Sequence, residues 1–175
     1  VILLLKLYAP DDTRLKKQGQ LFKELQTMCG VQFKVVAELL KNRDDMIKII
    51  RKNGPLIMHL VILTHGQNDG LVTQDSPPEF MRANTDVYRQ FCRIIKVNMI
   101  PKSTIFLVSC LTANTADMKK KLNTFKGIVN TGFPMFEINP KMTTDKNSFA
   151  CQLSLDTDMS VMGTTKTQVA GEIIQ

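Results

Sequence analysis

The chain has 175 residues, of which 43% are hydrophobic and 22% charged, with a formal net charge of +7. That length suits one domain with a substantial core, since domains commonly run to roughly 100–200 residues, and no apolar run approaches the roughly 20 residues needed to cross a bilayer. The positive balance favours anionic partners, but tryptophan is absent, and with few aromatic platforms and no zinc-finger spacing a specific nucleic-acid role is not expected. Cys29, Cys92, Cys110 and Cys151 lie far apart with no Cys-x-x-Cys pair. Their spacing argues against a disulfide framework and against a metal site. It points to the cytoplasm or another reducing compartment, a setting shared by a secreted effector delivered into a host cell.

Residues 1–8 read as a first strand, apolar except for Lys6. Because the chain begins inside this strand without a methionine, it is expected to be a fragment or processed form of something longer. Pro10-Asp11-Asp12 stops the strand and offers a capping carboxylate for a helix over 13–28, with Leu15, Phe22, Leu25 and Cys29 at helical spacing. Val31 to Val36 reads as the second strand. A helix over 44–52 turns Met46, Ile47 and Ile50 inward and is closed by Asn53-Gly54-Pro55. The third strand covers 56–64.

Beyond His65-Gly66, the Asp69-Gly70 step predicts a tight turn before the short extended piece Leu71-Val72-Thr73. Residues 74–82 lack periodicity and are expected to form an exposed loop. Asn84 is the expected cap of a helix reaching Val97, with Val87, Phe91 and Ile94 on one face. Pro101 and Ser103 lead into a fourth strand ending at Cys110, followed by a helix over 114–125 and a fifth strand over 128–132. Residues 149–155 alternate enough to suggest a strand, and 167–174 is open between helix and edge strand. Cys29, Cys92 and Cys151 fall at apolar positions suited to a core, and His59, inside an apolar strand, is expected to be structural. The order predicts one α/β domain over 1–175, a three-layer, mostly parallel, doubly wound sheet with helices on both faces.

Two of these runs carry the chemistry. Leu60-Val61-Ile62-Leu63-Thr64-His65-Gly66 and Thr104-Ile105-Phe106-Leu107-Val108-Ser109-Cys110 are apolar stretches of the kind buried on both sheet faces, and each ends in one reactive residue. In an open α/β sheet, ligands bind at the carboxyl ends of the strands. If the two strands are parallel neighbours, imidazole and thiol share one crevice, as a cysteine nucleophile with a histidine partner requires. Glycine patterns for dinucleotide or phosphate binding, the Gly-x-Ser-x-Gly elbow and His-Glu-x-x-His are all missing, so no cofactor and no metal are expected.

Cys110 follows His65 by 45 residues, near the roughly 50 found in caspases, where histidine also precedes cysteine. With these two motifs the chain resembles the caspase-like cysteine peptidases, over about residues 1–132. Val108-Ser109-Cys110-Leu111-Thr112 differs from the caspase Gln-Ala-Cys-Arg-Gly and is closer to the CHAT and self-processing toxin protease branches. Aspartate specificity therefore does not carry over. The resemblance implies cleavage of a protein or peptide substrate, or of the parent chain, by a Cys110–His65 dyad. Backbone amides of Gly66 and Cys110 are candidate oxyanion donors. It places the substrate pocket among Asp11, Asp12, Arg14, Thr64, Ser109, Asn130, Thr131 and Gly132, where the acidic residues favour a basic substrate side chain and Arg14 an acidic one. The basic helices also fit an anionic small-molecule activator, such as the inositol phosphate used by some toxin protease domains. Two other readings remain: a catalytically silent binding module of the same fold, and an unrelated doubly wound domain in which the two strands are not neighbours.

Overall fold

The computed structural model describes residues 1–7, 27, 34–40, 42–67, 70–72, 80–108, 135–141 and 148–164. In chain order these form β1 (Ile2–Leu7), β2 (Val35–Leu39), α1 (Arg43–Asn53), β3 (Ile57–Gln67), β4 (Gly70–Val72), β5 (Phe80–Arg82), α2 (Asp86–Asn98), β6 (Met99–Val108), β7 (Met135–Ile138), α3 (Phe149–Thr157) and β8 (Ser160–Thr164). The fold is α/β, a mostly parallel mixed sheet flanked by helices. Its main strand order is β2-β1-β3-β6-β8-β7, with β4 joined to the end of β3 and β5 to β4. Every neighbouring pair from β2 to β8 is parallel, and β7 closes the edge antiparallel to β8.

The central strands β1, β3 and β6 are mostly apolar because both of their faces are largely buried. On one face Leu3, Leu5, Leu60, Ile62, Ile105, Leu107 and Val161 join the inward residues of all three helices in the main core. On the other, Ile2, Leu4, Val61 and Leu63 form a second cluster with Val35 and Phe106 against it. Leu4 and Leu63 are only 1% and 0% exposed, so this second face is covered at its centre, while Val35 and Phe106 beside it are only partly buried. Of the helix expected over 13–28 only Thr27 is described, and it is helical. The helix expected over 114–125, the strand over 128–132 and the segment 167–174 lie outside the described residues.

The helices begin where side chains satisfy their first free amides. Asn42 caps α1 by accepting from the Asp45 amide at 2.9 Å, and Met46, Ile47 and Ile50 turn inward as their spacing predicts. In α2 the cap is Thr85, which accepts from the Tyr88 amide at 3.3 Å. The expected cap, Asn84, instead turns the chain with φ 66°, a left-handed conformation that asparagine tolerates. Inside, the Tyr88 hydroxyl donates to Asp156 of α3 at 2.7 Å, and its ring meets Phe149 edge-on. Gln152 donates to the same carboxylate oxygen at 2.8 Å.

Three local expectations are corrected. The second strand runs past the expected Val36 to Leu39, with Lys34 outside it, because its register with Ile2–Lys6 sets its extent; residues 31–33 lie outside the described residues. Residues 80–82 are not loop but β5, paired with β4, and Met81 is 1% exposed; three residues are too few to show a period. Residues 149–155 are helical, not extended. Ser148 caps α3 by accepting from the Cys151 amide at 3.2 Å, and Phe149 through Ser154 are all buried, so the helix has no polar face to reveal its 3.6-residue period. Met135–Ile138 and Ser160–Thr164 are strands that the pattern did not separate from loop.

Gly54 caps the end of α1 against the end of α2, where a β-carbon would collide with the Asn98 side chain. That side chain is fixed by a 2.8 Å bond from its Nδ2 to the Ile94 carbonyl. Gly54→Ala is expected to cost about 1–3 kcal/mol, the usual penalty of forcing atoms into a packed site. Chemical denaturation would check it, with a reduced midpoint and unchanged slope as the expected outcome.

Candidate active site

β3 and β6 are hydrogen-bonded parallel neighbours, registered from His59↔Thr104 to Leu63↔Val108. The separated strands that the reading as an unrelated doubly wound domain expects are not found. The chain also reverses its direction of growth here: from β1 it adds β2 on one side, then β3 and β6 on the other. Such a reversal opens a crevice at the carboxyl ends of the flanking strands. The carboxyl half of β3 lies at that reversal.

At this point β3 changes partners. Its parallel pairing ends at Leu7↔Thr64 on one side and Leu63↔Val108 on the other. The next residues pair antiparallel with β4, His65↔Val72, Gly66↔Leu71 and Gln67↔Gly70. His65 is therefore not the last residue of the strand, as its sequence context suggested, but the first after the switch. The returning extended piece Gly70–Val72 is the cause: Gln67 faces Gly70, and β3 continues as one arm of an antiparallel pair; residues 68 and 69, where the turn is expected, lie outside the described residues. Gly70 is needed there because a β-carbon would strike the Met81 carbonyl of β5. Imidazole and hairpin are thus held by backbone ladders on both sides of the switch, a firmer support than a free loop gives.

Side chains alternate along β3, with Leu60 and Ile62 in the main core and Val61 and Leu63 in the second cluster. By the same alternation Thr64 belongs to the main-core side, where it is 2% exposed, and His65 to the second. His65 and Gly66 are half-buried. The other residues expected at the site, Cys110, Ser109, Asp11, Asp12, Arg14, Asn130, Thr131 and Gly132, lie outside the described residues.

The remaining cysteines and histidine have different environments. Cys92 and Cys151 are buried, 6% and 1% exposed, the core role expected of them. Burial pushes the Cys92 thiol up to about 11, leaving it protonated and unreactive at neutral pH. The buried Tyr88 phenol is also raised, first by burial and then by its bond to Asp156. No three His, Cys, Asp or Glu side chains among the described residues converge as metal ligands would. No helix among them is long and apolar enough to cross a membrane. Compared with protein-family models and with curated protein sequences, the chain matches none.

His59 lies between Ile2 and Thr104 in the parallel sheet. Its ring meets Phe106 edge-on at 5.8 Å, and its Nδ1 is buried without a hydrogen-bond partner among the described residues. Burial holds its pKa below the ordinary imidazole value of 6.5. The folded protein therefore keeps His59 neutral at pH values where the unfolded chain takes up a proton, and stability falls as pH drops below about 6.5. Thermal unfolding at pH 7.5 and 5.5 tests this: His59→Phe is expected to shrink the acid-induced loss in melting temperature while leaving the fold intact.

Proposed function

We propose that this chain is a caspase-like cysteine endopeptidase domain, a three-layer α/β sandwich that cleaves a protein substrate or its own parent chain with a Cys110–His65 dyad. The observation that carries the proposal is the parallel pairing of β3 with β6, whose last registered pair is Leu63↔Val108. In the sequence His65 stands two residues beyond Leu63, and Cys110 two beyond Val108. Val61 and Phe106 are registered partners that both pack into the second cluster. His65 has the strand parity of Val61, and Cys110 that of Phe106. The dyad requires the thiol to come to this same side, and the register of the two strands favours it.

In the proposed reaction the Cys110 thiolate attacks the scissile carbonyl, forming a carbon–sulfur bond and an oxyanion that Gly66 and Cys110 backbone amides stabilise. Collapse breaks the carbon–nitrogen bond, with His65 giving a proton to the leaving amine. Water then attacks the thioester, releasing the acid and restoring the thiol. Asp11, Asp12, Arg14, Thr64, Ser109, Asn130, Thr131 and Gly132 are the residues proposed to bind the substrate around the cut. The wide spacing of the four cysteines in the sequence is in keeping with a reducing compartment.

Labelling with a panel of peptidyl acyloxymethyl ketones, followed by mass spectrometry of the modified cysteine, tests the dyad. The expected result is selective modification of Cys110 that slows by about 10²-fold or more in His65→Ala, within the range typical of a lost acid–base partner. Labelling of Cys110 no faster than that of Cys92 or Cys151 would overturn the peptidase and leave a binding module of the same fold.

A further inference from the structure

Away from the end of β3, the outer surface where α1 meets α2 combines an apolar floor with uncommitted positive charge. A groove of about 590 Å³ lies there, with Val87, Ile94 and Val97 along α2 and Arg51 and Arg93 on opposite helices. Among the described residues Leu56 and Val97 are the large hydrophobic side chains left exposed, at 64% and 73%. They share one corner, because Val97 adjoins Asn98, Asn98 packs on Gly54, and Leu56 follows Gly54 by two residues. Neither arginine has an ion-pair partner among the described residues. Asp86 also lines the groove and attracts Arg93 through space, but its carboxylate is bonded to Arg89 at 2.7 Å. The sequence hides this cluster, since its cations are spaced along helices rather than adjacent.

We propose that this groove docks an acidic amphipathic segment of a partner protein, its apolar side chains on Ile94 and Val97 and its carboxylates toward Arg51 and Arg93. Charge complementarity selects the partner's sign: each helix contributes an arginine to the groove against the single carboxylate of Asp86, in a chain of net charge +7. The floor selects its class. A small inorganic polyanion would use the arginines but leave Val97 and Leu56 in water, whereas a peptide covers both. Binding does not depend on the peptidase reading, because it is measured without turnover.

The test is fluorescence anisotropy with a short labelled peptide carrying Leu and Glu at helical spacing, a control peptide with Lys in place of every Glu, and tripolyphosphate as competitor. The expected outcome is saturable binding of the acidic peptide alone. Arg93→Glu should weaken it about tenfold, equal to about 1.4 kcal/mol, and Val97→Ser several-fold. Lys141→Glu, just beyond β7 at the edge of the sheet and outside the groove lining, should leave it unchanged. All three side chains are exposed, and circular dichroism would confirm that the variants fold. The proposal is overturned if the acidic peptide does not saturate, if Lys141→Glu weakens it as much as Arg93→Glu, or if only tripolyphosphate binds and Val97→Ser has no effect.

Discussion

The architecture depends on the exclusion of water from both faces of β1, β3 and β6. A strand in that position has no solvent side, so each of its residues must be apolar or find a partner within the protein. Leu3, Leu4 and Leu5, and Leu60 through Leu63, meet the demand by alternating between two hydrophobic clusters. Backbone groups are satisfied by parallel ladders on both sides. His59 is the exception within β3. Its ring packs as an aromatic against Phe106, and its unpartnered nitrogen is the polar cost of putting an imidazole there.

What makes β3 the centre of the candidate site is that this constraint stops at one residue. Through Thr64 the strand is enclosed by parallel neighbours, and from His65 onward it belongs to the antiparallel hairpin. The first polar, titratable side chain after the buried run therefore emerges at the carboxyl end of the sheet. Sequence and topology coincide there, since the same strand flanks the reversal in strand order. The dyad proposal rests on that coincidence together with the register shared by β3 and β6.

Much of this was legible in the amino-acid pattern because burial on two faces writes a continuous apolar run, and burial on one helical face writes a 3.6-residue period. β1, β3 and β6 show the first; α1 and α2, with Met46, Ile47, Ile50, Phe91 and Ile94 inward, show the second. Where these signals fail, the sequence misleads. α3 is buried on nearly every side, so its periodicity vanishes and Cys151, Leu153 and Leu155 mimic a strand. β5 owes its existence to pairing with β4 across a short hairpin, a non-local fact. His65 was found as the end of an apolar run, but its place in a hairpin arm depends on Gly70, Leu71 and Val72 returning alongside it. The α1–α2 groove was invisible for a related reason: Arg51 and Arg93 meet only through the packing of Gly54 on Asn98.

The change of partners within β3 also divides that strand by what supports it. His59–Leu63 are laddered to parallel neighbours on both sides, whereas His65–Gln67 pair with β4. β4 and β5 have three residues each, too few for a ladder to hold by itself. Burial makes up for the shortness: Leu71 of β4 and Met81 of β5 are 2% and 1% exposed within the main core. His65 therefore stands where two ladders meet that are anchored in one hydrophobic interior, so the backbone that carries the imidazole inherits the rigidity of the whole domain rather than that of a surface ribbon.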